Sequence, residues 1–92
     1  VAQAMHSRQM QITNQLGMHA RAAARFVRIA STYKSKILVA REDRVMDGKS
    51  IMGLLLLTAA CGTMITISAE GPDAVDAVAS LSRLVERGFE EP

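Results

Sequence analysis

The chain has 92 residues, 49% hydrophobic and 22% charged, which fits one soluble globular domain and excludes two. A net charge of +2 is too weak to argue for nucleic acid, and with 3% aromatics the core must be filled by aliphatic and small side chains. A single cysteine, Cys61, excludes an internal disulfide and fits a reducing compartment. The longest apolar run, 51–57, contains Gly53 and falls far short of the roughly 20 residues that span a bilayer. The first residues lack the charged-then-apolar layout of a signal peptide, so the expected location is the cytoplasm, with no membrane embedding. Residues 1–7 are expected to be an N-terminal extension, a processed end or a cloning remnant, and 8–92 the single domain.

Arg8-Gln9-Met10-Gln11-Ile12-Thr13 alternates polar with apolar, the pattern of a half-buried strand. Asn14-Gln15-Leu16-Gly17 reads as a turn. The spacing predicts a helix over 20–31, with Ala23, Phe26, Val27 and Ala30 as its buried stripe. Arg21, Arg25 and Arg28 fall on the opposite face, either a solvated row or a docking stripe for an acidic partner. Residues 36–41 form a second strand, Glu42-Asp43 a tight turn, and 44–47 a third strand closing a hairpin. Ser50 is the expected N-cap of a short helix over 51–57, with Gly62 as its C′ residue. Residues 63–69 are the clearest strand, with Ile65, Ile67 and Ala69 on one face and Thr66 and Ser68 on the other. The last helix begins at Gly71-Pro72, carries Asp73 and Asp76 in its first turn and Arg83 and Arg87 in its last, and stops at Gly88. Its buried stripe is Ala74, Val78, Leu81 and Val85. The order β-α-β-β-α-β-α predicts an α+β fold: one four-stranded sheet, three helices on a single face, and the other face in solvent.

The run Leu16-Gly17-Met18-His19-Ala20-Arg21 sets a lone histidine between a glycine turn and an alanine-rich helix start. A helix start offers unpaired N–H groups and about half a positive charge, which suits an anion. A histidine there is either a capping or exposed residue of no special role, or a reactive nitrogen beside a phosphoryl pocket. Arg21 suits phosphate oxygens through its fixed charge and several donors, or is one more member of the basic row. Gly48-Lys49-Ser50 matches the end of a nucleotide-binding phosphate loop, but Asp43 stands where that loop needs glycine, so nucleotide binding is rejected. Two separated histidines and no carboxylate cluster make a poor metal site. Cys61 is most simply a buried small residue. In the short helix, Leu54 and Leu57 are expected to enter the core. Ile51, Met52 and Leu55 are left as an exposed patch, ringed by Arg21, Arg25, Arg28 and Lys49.

Gly17-Met18-His19-Ala20-Arg21 resembles the active-site motif of HPr, the histidine phosphocarrier of the bacterial phosphotransferase system. Gly48-Lys49-Ser50 resembles that family's regulatory-serine segment, and Gly62-Thr63 through Ser68-Ala69-Glu70-Gly71 its last strand and turn. The resemblance covers roughly residues 9–88. Residues 12–19 and the ending Gly88-Phe89-Glu90-Glu91 are similar to the nitrogen-related branch, whereas Gly48-Lys49-Ser50 looks more like the sugar-transport branch. One departure is Ala22, where the family usually has proline; alanine, the best helix former, should still start the helix normally, with a slightly less rigid loop.

The resemblance implies an open-faced sandwich with an antiparallel sheet. It implies that enzyme I, charged by phosphoenolpyruvate, phosphorylates His19 at Nδ1, that Arg21 and the amides of Ala20 to Ala22 hold the phosphoryl oxygens, and that an EIIA-type protein receives the group. The docking face would comprise Ala20, Ala24, Arg25, Arg28, Lys49, Ile51, Met52 and Leu55 around His19. Ser50 resembles the serine targeted by HPr kinase/phosphorylase, and a phosphoserine there would add up to about two negative charges. The protein would be a monomeric relay with no cofactor, no metal and no turnover of its own. The rival reading is a regulatory binding module of the same fold, switched at Ser50 with little flux through His19. A small RNA-binding domain is disfavoured by the lack of an exposed aromatic pair and of a G-x-x-G clamp between helices.

Overall fold

In the computed structural model, which describes residues 5–91, strands and helices alternate as β1 (Met5–Gln11), α1 (Ala20–Ala30), β2 (Lys36–Arg41), β3 (Arg44–Asp47), α2 (Ile51–Leu56), β4 (Met64–Glu70) and α3 (Ala74–Glu86). A 3-10 turn at Gly88–Glu90 follows. The four strands form one sheet in the order β1-β4-β2-β3, and every neighbouring pair is antiparallel. The register sets Met10 opposite Ile65 and Val39 opposite Ile67. Alternation therefore turns Met10, Ile37, Val39, Ile65, Ile67 and Ala69 to one face, where all six are buried. The helices cover that face: α3 lies against β1 and β4, α2 against β3, and α1 beside both helices.

The expected stripe of α3 is found intact, with Ala74, Val78, Leu81 and Val85 all buried. In α1 the stripe is Ala22, Ala23, Phe26 and Ala30, while Val27 is only half-buried. Its boundary has therefore rotated towards Ala22, whose methyl has no exposure at all. A small residue at that point lets α1 sit close, and the helix does start normally at Ala20.

Four local expectations need correction. The first strand is not 8–13 but Met5–Gln11, so residues 5–7 belong to the sheet, paired with Glu70, Ala69 and Ser68. Of the strand's seven residues only Met10 is buried. It is an edge strand held by backbone pairing and by the Arg8–Glu86 contact at 2.9 Å, so side-chain alternation could not reveal its start. Residues 1–4 of the expected extension lie outside the described residues. Helix α2 ends at the C-cap Leu57, close to the expected 51–57, but Gly62 is not its C′ residue: Thr58, at φ 51°, follows the cap. Arginines from the β2–β3 hairpin make that ending tolerable: Arg41 donates to the Leu57 carbonyl at 3.3 Å and Arg44 to that of Leu56 at 3.2 Å. Gly62 instead helps to launch β4, its N–H bonding the Ile12 carbonyl at 2.7 Å. Cys61, in the same loop, is exposed rather than buried.

Asp73 gives α3 no side-chain cap. Its carboxylate accepts from the backbone N–H of Lys34 at 2.8 Å and of Ser35 at 2.9 Å, and from the Ser35 hydroxyl. Those bonds, the Ser35 hydroxyl foremost, hold its carboxyl down at about 2 and tie the start of α3 to the start of β2.

Candidate functional site

The loop from Ile12 to Met18 is stitched to the loop before β4. The Ile12 N–H donates to the Thr63 carbonyl and the Met18 N–H to the Ala59 carbonyl, each at 2.9 Å. Between them, Asn14 and Gly17 close a turn, with the Gly17 N–H on the Asn14 carbonyl at 3.1 Å and Asn14 Nδ2 on the Gly17 carbonyl at 2.8 Å. The chain at Gly17 has φ +65° and passes so close to Ala59 that a Cβ would stand 2.5 Å from its carbonyl oxygen. Only glycine meets both demands without strain.

This turn delivers His19 to the N-cap of α1 with extended backbone (φ −77°, ψ 179°). Side-chain oxygens are the usual caps. Here the imidazole Nδ1 takes that part, accepting the backbone N–H of Arg21 at 3.3 Å. An acceptor nitrogen carries no proton, so the ring turns its Nδ1 lone pair towards the free amides of the helix start. The other nitrogen, Nε2, lies 3.0 Å from Glu91 Oε2, close to the carboxylate although not aligned well enough to be a hydrogen bond. About a quarter of the His19 side chain remains exposed (25%). A shallow depression formed by Leu16, Met18, Thr58, Ala59 and Ala60 lies on one side of it. A second cleft, which shares Leu16 with it, runs past Asn14, Arg21, Arg87 and Glu91.

Arg21 and Ala20 are exposed at the first turn of α1, and Ala24 is half-buried one turn on. Arg28 is exposed, but Arg25 is not part of a free basic row: its Nη1 donates to the Phe89 carbonyl. Lys49 is likewise half-buried, with Nζ on the Tyr33 carbonyl at 2.7 Å, at the far end of α1 from His19. Two of the four cations expected to ring the apolar patch are thus tied to backbone carbonyls. On α2, Leu54 and Leu57 enter the core and Ile51 and Met52 are exposed, as the pattern predicted. Leu55 is the exception, packed half-buried against the core, and Leu56 is exposed in its place. The helix has α1 at its side as well as the sheet beneath, so a wider arc is covered than a single buried stripe implies. Ser50 caps α2, its Oγ accepting the Gly53 N–H at 3.0 Å.

Sequence reasoning missed Asn14 and Glu91. Both are polar residues in loops, with no periodicity to mark them. The available signal was Phe89, a large apolar residue just beyond a glycine helix stop, which has to be buried and so pulls its neighbours inward. Phe89 is fully buried. Glu91 keeps its carboxyl below the ordinary range, through the Asn14 hydrogen bond first and the neighbouring His19 and Arg25 after it, with burial acting the other way.

Fold and site together define a class: a one-sided antiparallel α+β sandwich that presents one histidine at the N-terminus of its first helix. The comparisons agree with it. The family model described as the PTS HPr component phosphorylation site matches residues 6–87. The phosphocarrier protein HPr of Neisseria meningitidis serogroup A is 41% identical over 87 residues, 95% of this chain and 98% of that protein. The crystal structure of HPr-C-His from Thermoanaerobacter tengcongensis superposes with a TM-score of 0.91 at 38% identity, covering 95% of this chain and 98% of that one. The Bacillus subtilis catabolite repression protein Crh, seen as a swapped dimer, gives a TM-score of 0.74 at 31% identity over 88% of this chain and 93% of its own. The chain belongs to the HPr family of phosphocarriers of the phosphotransferase system. Among the described residues, no helix is long and apolar enough to cross a membrane.

Proposed function

We propose that His19 is the phosphoryl carrier, accepting the group on Nδ1 from phosphorylated enzyme I and handing it to an EIIA-type protein. The observation that carries this reading is the cap itself: Nδ1 faces the backbone amide of Arg21 at 3.3 Å as a hydrogen-bond acceptor. Arg21 is exposed and free to reach phosphoryl oxygens, and the amides of Ala20 and Ala22 complete the anion site. Transfer of this kind is mainly positioning and electrostatics. Docking would use the exposed apolar residues Ile51, Met52 and Leu56 of α2 and Leu16 beside His19, with Arg21 and Arg28 at the rim. That gives a small apolar centre with a charged edge, as brief contacts require.

The test is incubation with enzyme I and labelled phosphoenolpyruvate. An acid-labile, alkali-stable label that disappears in His19→Ala is expected; a competent donor that leaves His19 unlabelled overturns the reading. The second reading, a module regulated at Ser50, is favoured by the position of that hydroxyl at the start of α2, a helix with no acidic residue in its first turn. A phosphate there would meet a favourable helix dipole. Label from ATP and a serine kinase, confined to Ser50, with none at His19, would select it.

A further inference from the structure

The C-terminal tail places a carboxylate against the His19 nitrogen that the proposed chemistry does not use. Gly88, Phe89 and Glu90 have φ of 61°, 58° and 63°. Left-handed backbone at two successive non-glycine residues is unfavourable and persists only where the surroundings enforce it. Here Phe89 is fully buried, and its carbonyl accepts from Arg25 Nη1. The bend returns Glu91 to the loop that bears His19. Its Oε1 accepts from Asn14 Nδ2, and its Oε2 lies 3.0 Å from His19 Nε2. Asn14 is itself buried and fixed to the Gly17 carbonyl at 2.8 Å. Each ring nitrogen thus has its own neighbour, a donor facing Nδ1 and an acceptor facing Nε2. Which nitrogen of a histidine is protonated is set by the partner of the other.

We propose that Glu91 is a positioning residue for phosphoryl transfer: it holds the ring as the Nε2–H tautomer and balances the positive charge the ring gains when Nδ1 bonds phosphorus. This role rests on the carrier reading above. In the step, the Nδ1 lone pair forms the bond to phosphorus. The bond from phosphorus to the carrying atom of the donor breaks, and its electron pair stays on the donor. His19 Nε2 keeps its proton throughout, so the phosphorylated ring is cationic beside the Glu91 carboxylate. Arg21 and Arg25 from α1 and Arg87 from the end of α3 are the cations near this carboxylate, while Glu86 is turned to Arg8 at 2.9 Å. Glu91 is therefore the carboxylate left to face the ring. Its strap is anchored by Phe89 rather than by contact with a partner, so the orientation exists before docking.

Two measurements on the full chain test this. Ring ¹⁵N chemical shifts of His19 in the unphosphorylated protein report the tautomer, and the rate of labelling by phosphorylated enzyme I reports transfer. The wild type is expected to show protonated Nε2. Glu91→Ala is expected to mix the tautomers and to slow labelling on the order of 10-fold, the lower end of what metal-bound histidines lose with their orienting partners. Glu91→Gln keeps an acceptor but no charge, so it should preserve the tautomer and still slow transfer. Glu90→Gln, which neutralises the exposed neighbour, should change neither. A wild-type tautomer and wild-type rate in Glu91→Ala, or equal slowing in Glu90→Gln, overturns the role while leaving the carrier reading intact. A wild type that takes no label at His19 overturns both.

Discussion

Replacing Gly17 with alanine strikes the contact that holds the histidine loop in place. The new Cβ would stand 2.5 Å from the Ala59 carbonyl oxygen and 2.9 Å from Ala60 Cα, and the backbone there already has φ +65°. The same Ala59 carbonyl accepts the Met18 N–H at 2.9 Å, one residue before His19. Two penalties add: about 1–2 kcal/mol for an L-residue in the left-handed region, and about 1–3 kcal/mol for overpacking against atoms that cannot swing aside. The total, about 2–5 kcal/mol, is a large share of the stability of a small domain. Gly88 supplies the control. Its φ is +61°, yet its Cβ would meet only Asn14 Cβ at 3.5 Å, an ordinary contact. Gly88→Ala therefore carries the first penalty alone. Urea unfolding of the two variants and the wild type should show midpoints falling in the order wild type, Gly88→Ala, Gly17→Ala, with unchanged slopes. Equal destabilisation of the two variants would refute the reasoning. It would mean that the loop yields freely and that the Met18–Ala59 contact does not fix His19.

Ser50→Ala removes the side-chain cap of α2 and should lower stability by about 1 kcal/mol, whereas Ser50→Asp should restore much of it; thermal melting checks both, and an unchanged midpoint in Ser50→Ala would show the cap to be idle. Asp73 has a folded-state pKa of about 2 against 3.8 in the ordinary state. A depressed acid favours the folded state fully above 3.8 and loses that contribution as pH falls through about 2. Asp73→Asn should therefore be less stable at neutral pH and should show a shallower loss between those two values in denaturant titrations. An identical acid slope in variant and wild type would rule the contribution out.

Much of the fold was legible because burial writes a period into the sequence. In β4 the alternation of Ile65, Ile67 and Ala69 with Thr66 and Ser68 follows from one covered and one open face, and the α3 stripe follows from the helical repeat. The pattern failed where backbone bonds replace side-chain burial, as at Met5 to Ser7 on the sheet edge. It failed also where two neighbours share a helix, as with Leu55 and Leu56, and where a turn is stabilised from a distance, as Arg41 and Arg44 do for the end of α2. His19 and Arg21 were legible as a motif. Glu91 and Asn14 were not, because their meeting depends on a tail that doubles back over the loop, a long-range closure that no local spacing records.

The same closure bears on how firmly a carrier should hold its cargo. In the free protein the Arg21 N–H is already bonded to Nδ1, and Glu91 already faces Nε2. On the proposed chemistry, phosphorylation takes the Nδ1 lone pair and offers the Arg21 amide a phosphoryl oxygen in exchange. One acceptor replaces another, so the loaded state gains less than it would from an amide that had been waiting unpaired, since the net worth of a hydrogen bond is its excess over the bond it displaces. The added attraction of Arg21, exposed and solvated, is modest for the same reason that surface ion pairs are. An Arg21 amide that has an acceptor in both states narrows the energy gap between loaded and unloaded forms, leaving the free amides of Ala20 and Ala22 as the backbone donors that favour the loaded one. That balance is what passing a phosphoryl group onward demands.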